Sequence, residues 1–353
     1  QVYMSSWYDP YARTAIENAT GLAAIKHGPV KLILGPWTHG QRSLTYAGDV
    51  DFGVDAPLDG ALARDYLALR LQWFDRYLRE RNVADPLPAA VTYFMMGGGS
   101  GRKTAEGRLD HGGAWRSASA WPPPEAKPIA FYLGEARTLS AKPPGAAGAV
   151  RFIADPANPV PTIGGATASG APVMAAGAYD QRETEGLFAA THPGRAIADR
   201  PDVLMFETAP LERAIEIAGG FEAQLWVSSD APDADIAITL IDVHPPSADY
   251  PQGYAMNLAH GILRLRFRDG FEAAKLMAPG EVYRIRVEGY PTANRFMPGH
   301  RIRLHVASSN FPHFDVNPNT GAPAGEPSTP RIAQNTVLFG PDHPSHIALS
   351  VIV

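Results

Sequence analysis

From about Pro128 to the C-terminus the chain is a succession of short runs rich in β-formers, each closed by Pro, Gly, Asp or Asn. The runs are IAFYL, VLMFET, IEIAG, EAQLWVSS, DIAITLIDV, GILRLRFR, VYRIRVEGY, HRIRLHVASS, NTVLFG and SHIALSVIV. About ten strands in series, with no helical period between them, fit two packed antiparallel layers, and the expected architecture is an all-β jelly-roll sandwich over residues 128–353. The 34 glycines and 33 prolines are spread among these runs, as turn residues are, and form no low-complexity tract. GILRLRFR and RIRLHVA alternate strictly, so each is expected to keep one wet face. No repeat of fixed period is present.

The first 90 residues read differently. VYMSS is a short strand. DPYARTAIENATGLAAIKHG follows as a helix, with Asp9 as N-cap, Pro10 at the first helical position and Gly28 closing it. KLIL (31–34) is the next strand, ended by Gly35-Pro36. ALARDYLALRLQWFDRYLRERN is the clearest helix: Leu67, Leu71, Phe74 and Leu78 share one face, and Leu62, Tyr66, Leu69, Trp73 and Tyr77 the adjoining one. Trp73 and Phe74 read as core. Strand–helix–strand–helix order implies a parallel sheet, and two strands do not make a viable one, so part of this domain is expected to lie outside the chain. Residues 91–127 read as a linker containing the strand VTYFMM.

The net charge is −5 with both signs mixed, which argues against nucleic-acid or basic membrane-surface partners. No apolar run reaches the ~20 residues of a membrane span. Cysteine is absent, so disulfides and thiolate metal sites are excluded. Compartment and oligomeric state stay open.

Two residues stand out at the carboxyl ends of the first two strands: Asp9 after VYMSSWY and His39 after KLILGPWT. Functional groups of open parallel sheets gather there. A carboxylate, a helix, a strand and then a histidine is also the order in which the acid and base of an α/β-hydrolase follow its serine. An Asp before Pro is equally an ordinary helix cap, and a lone loop histidine is commonly structural. One oxygen of Asp9 can cap while the other binds elsewhere.

SSWYDPY, KLILGPWTHG and LQWFDRYLR, followed in order by WRSASAWPPP, DPANPVPTIGG, DQRETE, LWVSSDAPDADIAITLIDV and PGHRIRLHVASSNFPHFDVNPNTG, resemble the cocaine esterase and X-prolyl dipeptidyl aminopeptidase family (CocE/NonD type) of serine hydrolases. The resemblance runs through nearly the whole chain. It implies a partial α/β-hydrolase domain (residues 1–90, its last strands and helices) followed by the jelly roll. It also implies cleavage of an ester, amide or peptide through an acyl-serine intermediate, without a cofactor. The family's triad Asp and His carry over to Asp9 and His39. Its nucleophile lies in a G-x-S-x-G elbow upstream of the Asp, and that pattern is absent here. GGGSGR (97–102) comes closest, but it follows His39 and carries Arg102 in place of the second Gly. The expectation is therefore the C-terminal portion of a serine hydrolase, inactive alone, whose N-terminal hydrolase half is missing. The alternative is a non-catalytic jelly-roll module binding carbohydrate or a protein.

Lesser signals are weaker. Tyr11 is a candidate for the substrate pocket or for first-turn packing, and Trp37 is expected to buttress the His39 loop. DVNPNTGAPAGE (315–326) resembles a calcium loop but has Thr320 where glycine is needed and no flanking helices. HPSH (343–346) lacks a third ligand, and GGGSGRK misses the phosphate-loop spacing. No metal is expected.

Overall fold

The computed structural model describes residues 1–25, 28–168, 170–171, 173–323 and 325–353. Strands dominate, in one large mixed sheet system and one small three-stranded sheet. Among the described residues no helix is long and apolar enough to cross a membrane.

The N-terminal part is a short parallel sheet. Val2–Tyr8 pairs in parallel with Lys31–Thr38, and Lys31–Thr38 with Val91–Met96. The helix Ala12–Ile25 makes the first crossover; Lys26 and His27, part of the expected helix, lie outside the described residues. The second strand does not end at Gly35-Pro36 as the dipeptide suggests. Pairing resumes beyond it, with a register shift between Ser6 and Tyr8 that spares Pro36 a ladder donor. Gly35 is required there, since a Cβ would sit 2.4 Å from the Trp37 ring.

The second crossover contains the helix Tyr66–Tyr77, shorter than the 61–82 its pattern suggests. Asp65 sets its start, with the side chain accepting the Ala68 N–H at 2.7 Å, while Gly60 at φ +89° breaks the chain before it. Only one of its two apolar faces is covered. Leu69 is buried with Ile33, Trp37, Leu58 and Leu87, and Leu62, Tyr66 and Trp73 pack against them. The other face is bare, with Leu67 60%, Leu71 54% and Leu78 72% exposed. Beside this helix the edge strand Val2–Tyr8 borders an open groove of about 670 Å³, lined by Tyr3, Leu69, Trp73, Phe74, Tyr77 and Leu78 among others.

Within residues 91–127, read from the sequence as a linker, Val91–Met96 is the third parallel strand and Gly113–Ala118 pairs antiparallel to it. A parallel bridge from Met96 to Asn294 joins this sheet to the β-rich part. Gly97, at φ +100°, makes the junction possible, because a Cβ there would lie 2.3 Å from the Arg295 carbonyl oxygen.

The β-rich part consists of two antiparallel layers. In one, Asp235–His244 lies between Tyr254–Arg264 and Arg301–Ala307, and Leu204–Glu207 adds outside the latter. In the other, Ile215–Ser229 is central, flanked by His346–Ile352 and Ala333–Phe339 on one edge and by Tyr283–Glu288 and Thr292–Phe296 on the other. Leu225, Val227, Ile347 and Leu349 from the second layer and Ile236, Ile238, Leu240 and Leu304 from the first fall in one buried core.

Three sequence expectations change. IEIAG and EAQLWVSS are one strand, bent where its register shifts near Gly219. GILRLRFR is only half strand: the strand runs Tyr254–Arg264, and Leu265–Phe267 is a helical turn with Leu265 and Arg266 both buried. Its arginines are not a wet face, for Arg264 and Arg266 pair with Asp235 and Asp233 at 2.9 and 2.8 Å. RIRLHVA alternates only at first, and His305 is buried. Gly148–Ala154 is a further strand that its sequence did not announce.

Candidate active site

The carboxyl ends of the first two strands bring Asp9 and His39 together. Val2–Tyr8 ends in a tight turn, with the Asp9 N–H donating to the Ser6 carbonyl at 3.1 Å. Asp9 Oδ1 accepts the Tyr11 N–H at 2.9 Å, ahead of the helix that begins at Ala12. Its other oxygen, Oδ2, lies 3.1 Å from His39 Nδ1. The helix-capping and histidine-binding uses of the carboxylate therefore coexist.

The two partners sit in opposite environments. The Asp9 side chain is 8% exposed and that of His39 61%. A buried carboxylate on Nδ1 favours the tautomer with its proton at that nitrogen and leaves Nε2 bare and facing outward. One aromatic anchors the strand end before His39 and another stands against its ring. Trp37, buried two residues before it, donates its Nε1–H to the Ala56 carbonyl at 3.0 Å. Tyr11 stands edge-on to the imidazole, with centroids 5.2 Å apart. Tyr11 as a residue is 56% exposed, so it is not first-turn core packing.

The β-rich part reaches this corner. Arg13, on the first helix, is ion-paired with Glu288. Tyr290, two residues on, is close enough to Asp9 to feel its charge: burial raises the Tyr290 hydroxyl above its usual range, Arg13 opposes this and Asp9 adds to it. Nothing in the sequence marked Tyr290, because a turn tyrosine carries no spacing signal.

A second cluster was missed entirely. His111, Asp242 and His244 are buried, and one ligand atom from each falls within 4.8 Å of the others. Burial pushes His244 down to about 3 and lowers His111 as well. Burial would raise Asp242, but the hydrogen bond from His300 and the surrounding imidazoles outweigh it and hold the carboxyl below its usual range. A signal was available: Asp242 and His244 lie two apart on one strand and therefore on one face.

The other candidates do not converge. Ser100 of GGGSGR donates to Asp110 at 2.6 Å. In the 315–326 segment, whose residue 324 lies outside the described residues, Asn317 donates to Asp233 and Asp235, both at 2.8 Å, and is engaged in structure. His346 pairs with the Pro344 carbonyl at 2.7 Å, while His343 packs on Trp226.

Two antiparallel layers sharing a core, joined at one edge to a short parallel sheet, define the class: a β-rich C-terminal domain. The family model described as the X-Pro dipeptidyl-peptidase C-terminal non-catalytic domain matches residues 83–348, and the chain belongs to that family. Cocaine esterase of Rhodococcus sp. (strain MB1 Bresler) is 32% identical over 363 residues, covering 99% of this chain and 55% of that protein. Among solved structures, an aminopeptidase from a marine sediment Thaumarchaeota archaeon superposes with a TM-score of 0.77 at 27% identity, over 100% of this chain and 54% of its own. An α-amino acid ester hydrolase gives a TM-score of 0.77 at 26% identity, over 99% and 55%. The chain thus spans about half the length of the relatives it matches. Those relatives are esterases and hydrolases of the CocE/NonD family.

Proposed function

We propose that this chain is the C-terminal portion of a serine hydrolase that cleaves acyl esters or amides through an acyl-serine intermediate. The observation that carries the reading is the 3.1 Å contact between Asp9 Oδ2 and His39 Nδ1, with the far side of the imidazole exposed. Asp9 holds the proton on Nδ1 and stabilises the imidazolium once it forms. His39 Nε2 takes the proton of a serine hydroxyl supplied by sequence outside this chain, then returns it to the leaving group. Tyr11, exposed beside His39, lines the acyl pocket. No cofactor is required for this chemistry.

Residues 1–90 are read as the last strands and helices of an α/β-hydrolase domain, and 128–353 as a jelly roll that shapes the cleft through the turn bearing Tyr290. The bare helix face of Leu67, Leu71 and Leu78 and the open groove beside Val2–Tyr8 support a missing half: they are apolar surface of the kind a preceding domain covers. The test is direct. The purified 353-residue chain is expected to turn over no p-nitrophenyl ester above buffer. Turnover that disappears in His39→Ala would refute the assignment of the nucleophile to sequence outside it.

A further inference from the structure

We propose that His111, Asp242 and His244 form a buried structural site for a divalent zinc ion, which fastens the segment around residues 97–113 to the β layers. His111 follows the two-residue strand Leu109–Asp110, whereas Asp242 and His244 end the strand Asp235–His244, so the three ligands come from opposite sides of the junction. Two imidazoles and a carboxylate suit zinc better than calcium or magnesium, which take oxygen ligands.

The geometry fits. His111 Nδ1 and His244 Nε2 are 3.1 Å apart, and all three ligand atoms lie within 4.8 Å of one another. Zinc–ligand bonds of about 2.1 Å put neighbouring ligands of a tetrahedral centre about 3.4 Å apart. The supporting contacts of a metal site are also in place. The His111 Nε2–H donates to Asn294 Oδ1 at 2.8 Å, which fixes the tautomer and leaves Nδ1 as a free donor atom. Asp242 Oδ2 accepts from Asn294 Nδ2 at 2.9 Å and Oδ1 from His300 Nδ1 at 2.8 Å.

Charge makes the argument stronger. Asp242 is wholly buried, and among the described residues no lysine or arginine lies within ion-pair distance of it. Among the described residues its one ion-pair partner is His300 at 2.8 Å, and a buried carboxylate without a permanent counter-charge is costly. Zinc supplies that charge. Without zinc, His244 Nε2 must carry a proton to bond His111 Nδ1; with zinc bound, that proton moves to His244 Nδ1 and no proton is lost. The ion would add to a light local ladder, since the small sheet beside the ligand His111 is made of two-residue strands at 46–47, 50–51 and 109–110.

The test uses the full chain, stripped with chelator and titrated with zinc, with metal content read by mass spectrometry and stability by thermal melting. One equivalent is expected, with Tm raised by about 5 °C at a hundredfold excess over Kd. His111→Gln and Asp242→Asn are expected to lose the bound ion, and His343→Gln to keep it. Should those variants fail to fold, X-ray absorption on the wild-type zinc form is expected to show two imidazoles and an oxygen ligand. Less than a tenth of an equivalent with no shift in Tm would overturn the proposal, leaving Asp242 held by its hydrogen bonds to His300 and Asn294 alone. Binding that survives in the folded variants would overturn it equally.

Discussion

His305 gives the sharpest test of how this fold handles acid. It lies on the strand Arg301–Ala307 between Thr239 and Met205 of the neighbouring strands, and neither ring nitrogen has a hydrogen-bond partner among the described residues. Burial, with the charge of Arg303 adding to it, pushes its pKa from the ordinary 6.5 to about 3. A base with a depressed folded-state pKa binds its proton only in the unfolded chain as pH falls. Its stabilising contribution is complete above 6.5, is lost progressively below it, and levels off near 3. At pH 5 the loss is about 1.5 pH units at about 1.36 kcal/mol each, or about 2 kcal/mol. His260, held near 3 by burial and by His313, adds a similar amount. Urea unfolding at pH 7.5 and pH 5.0 measures this. His305→Leu is expected to weaken the pH dependence by about 2 kcal/mol and the proton uptake on unfolding at pH 5 by about one. Equal pH dependence in variant and wild type would refute the reasoning, whatever the variant's absolute stability.

Other expectations follow from single contacts. Trp37→Ala removes a buried indole and its bond to Ala56 and is expected to cost about 3–5 kcal/mol in urea unfolding, because it opens a cavity among Ile33, Leu58, Leu69 and Leu87. Arg200 is buried and paired with Asp202 at 2.7 Å and Glu183 at 3.4 Å; Arg200→Met leaves the partly exposed Asp202 without its ion-pair partner while Glu183 keeps Arg195, and is expected to cost about 3 kcal/mol. Leu71→Lys with Leu78→Lys, on the bare helix face, is expected to suppress self-association in sedimentation while leaving Tm within about 2 °C.

The sequence carried the β-rich character and the family because both depend on local signals: β-former runs bounded by turn residues, and ordered motifs along the chain. It also marked Asp9 and His39, whose order follows from chain direction in a parallel sheet. Where it failed, long-range contact had overruled local pattern. Pro36 continues a strand because a register shift absorbs it. Arg264 and Arg266 alternate as a wet strand face would, yet Asp233 and Asp235 draw them inward. The strong helix lost its first turn to the cap at Asp65, and its best apolar stripe faces out. The pairing of Asp242 and His244 on one strand face was legible, but His111 lies more than a hundred residues away and joins them only in the fold.

The account stands on the Asp9–His39 pair being the acid and base of a serine hydrolase. The most direct measurement is fluorophosphonate labelling, with ester kinetics, on the parent protein that carries this chain and its preceding sequence. The expected result is a single labelled serine outside these 353 residues, with His39→Gln lowering kcat by about 10⁴-fold or more while Tm is unchanged. Label on a serine within the chain, or a His39→Gln parent active to within tenfold, would contradict it.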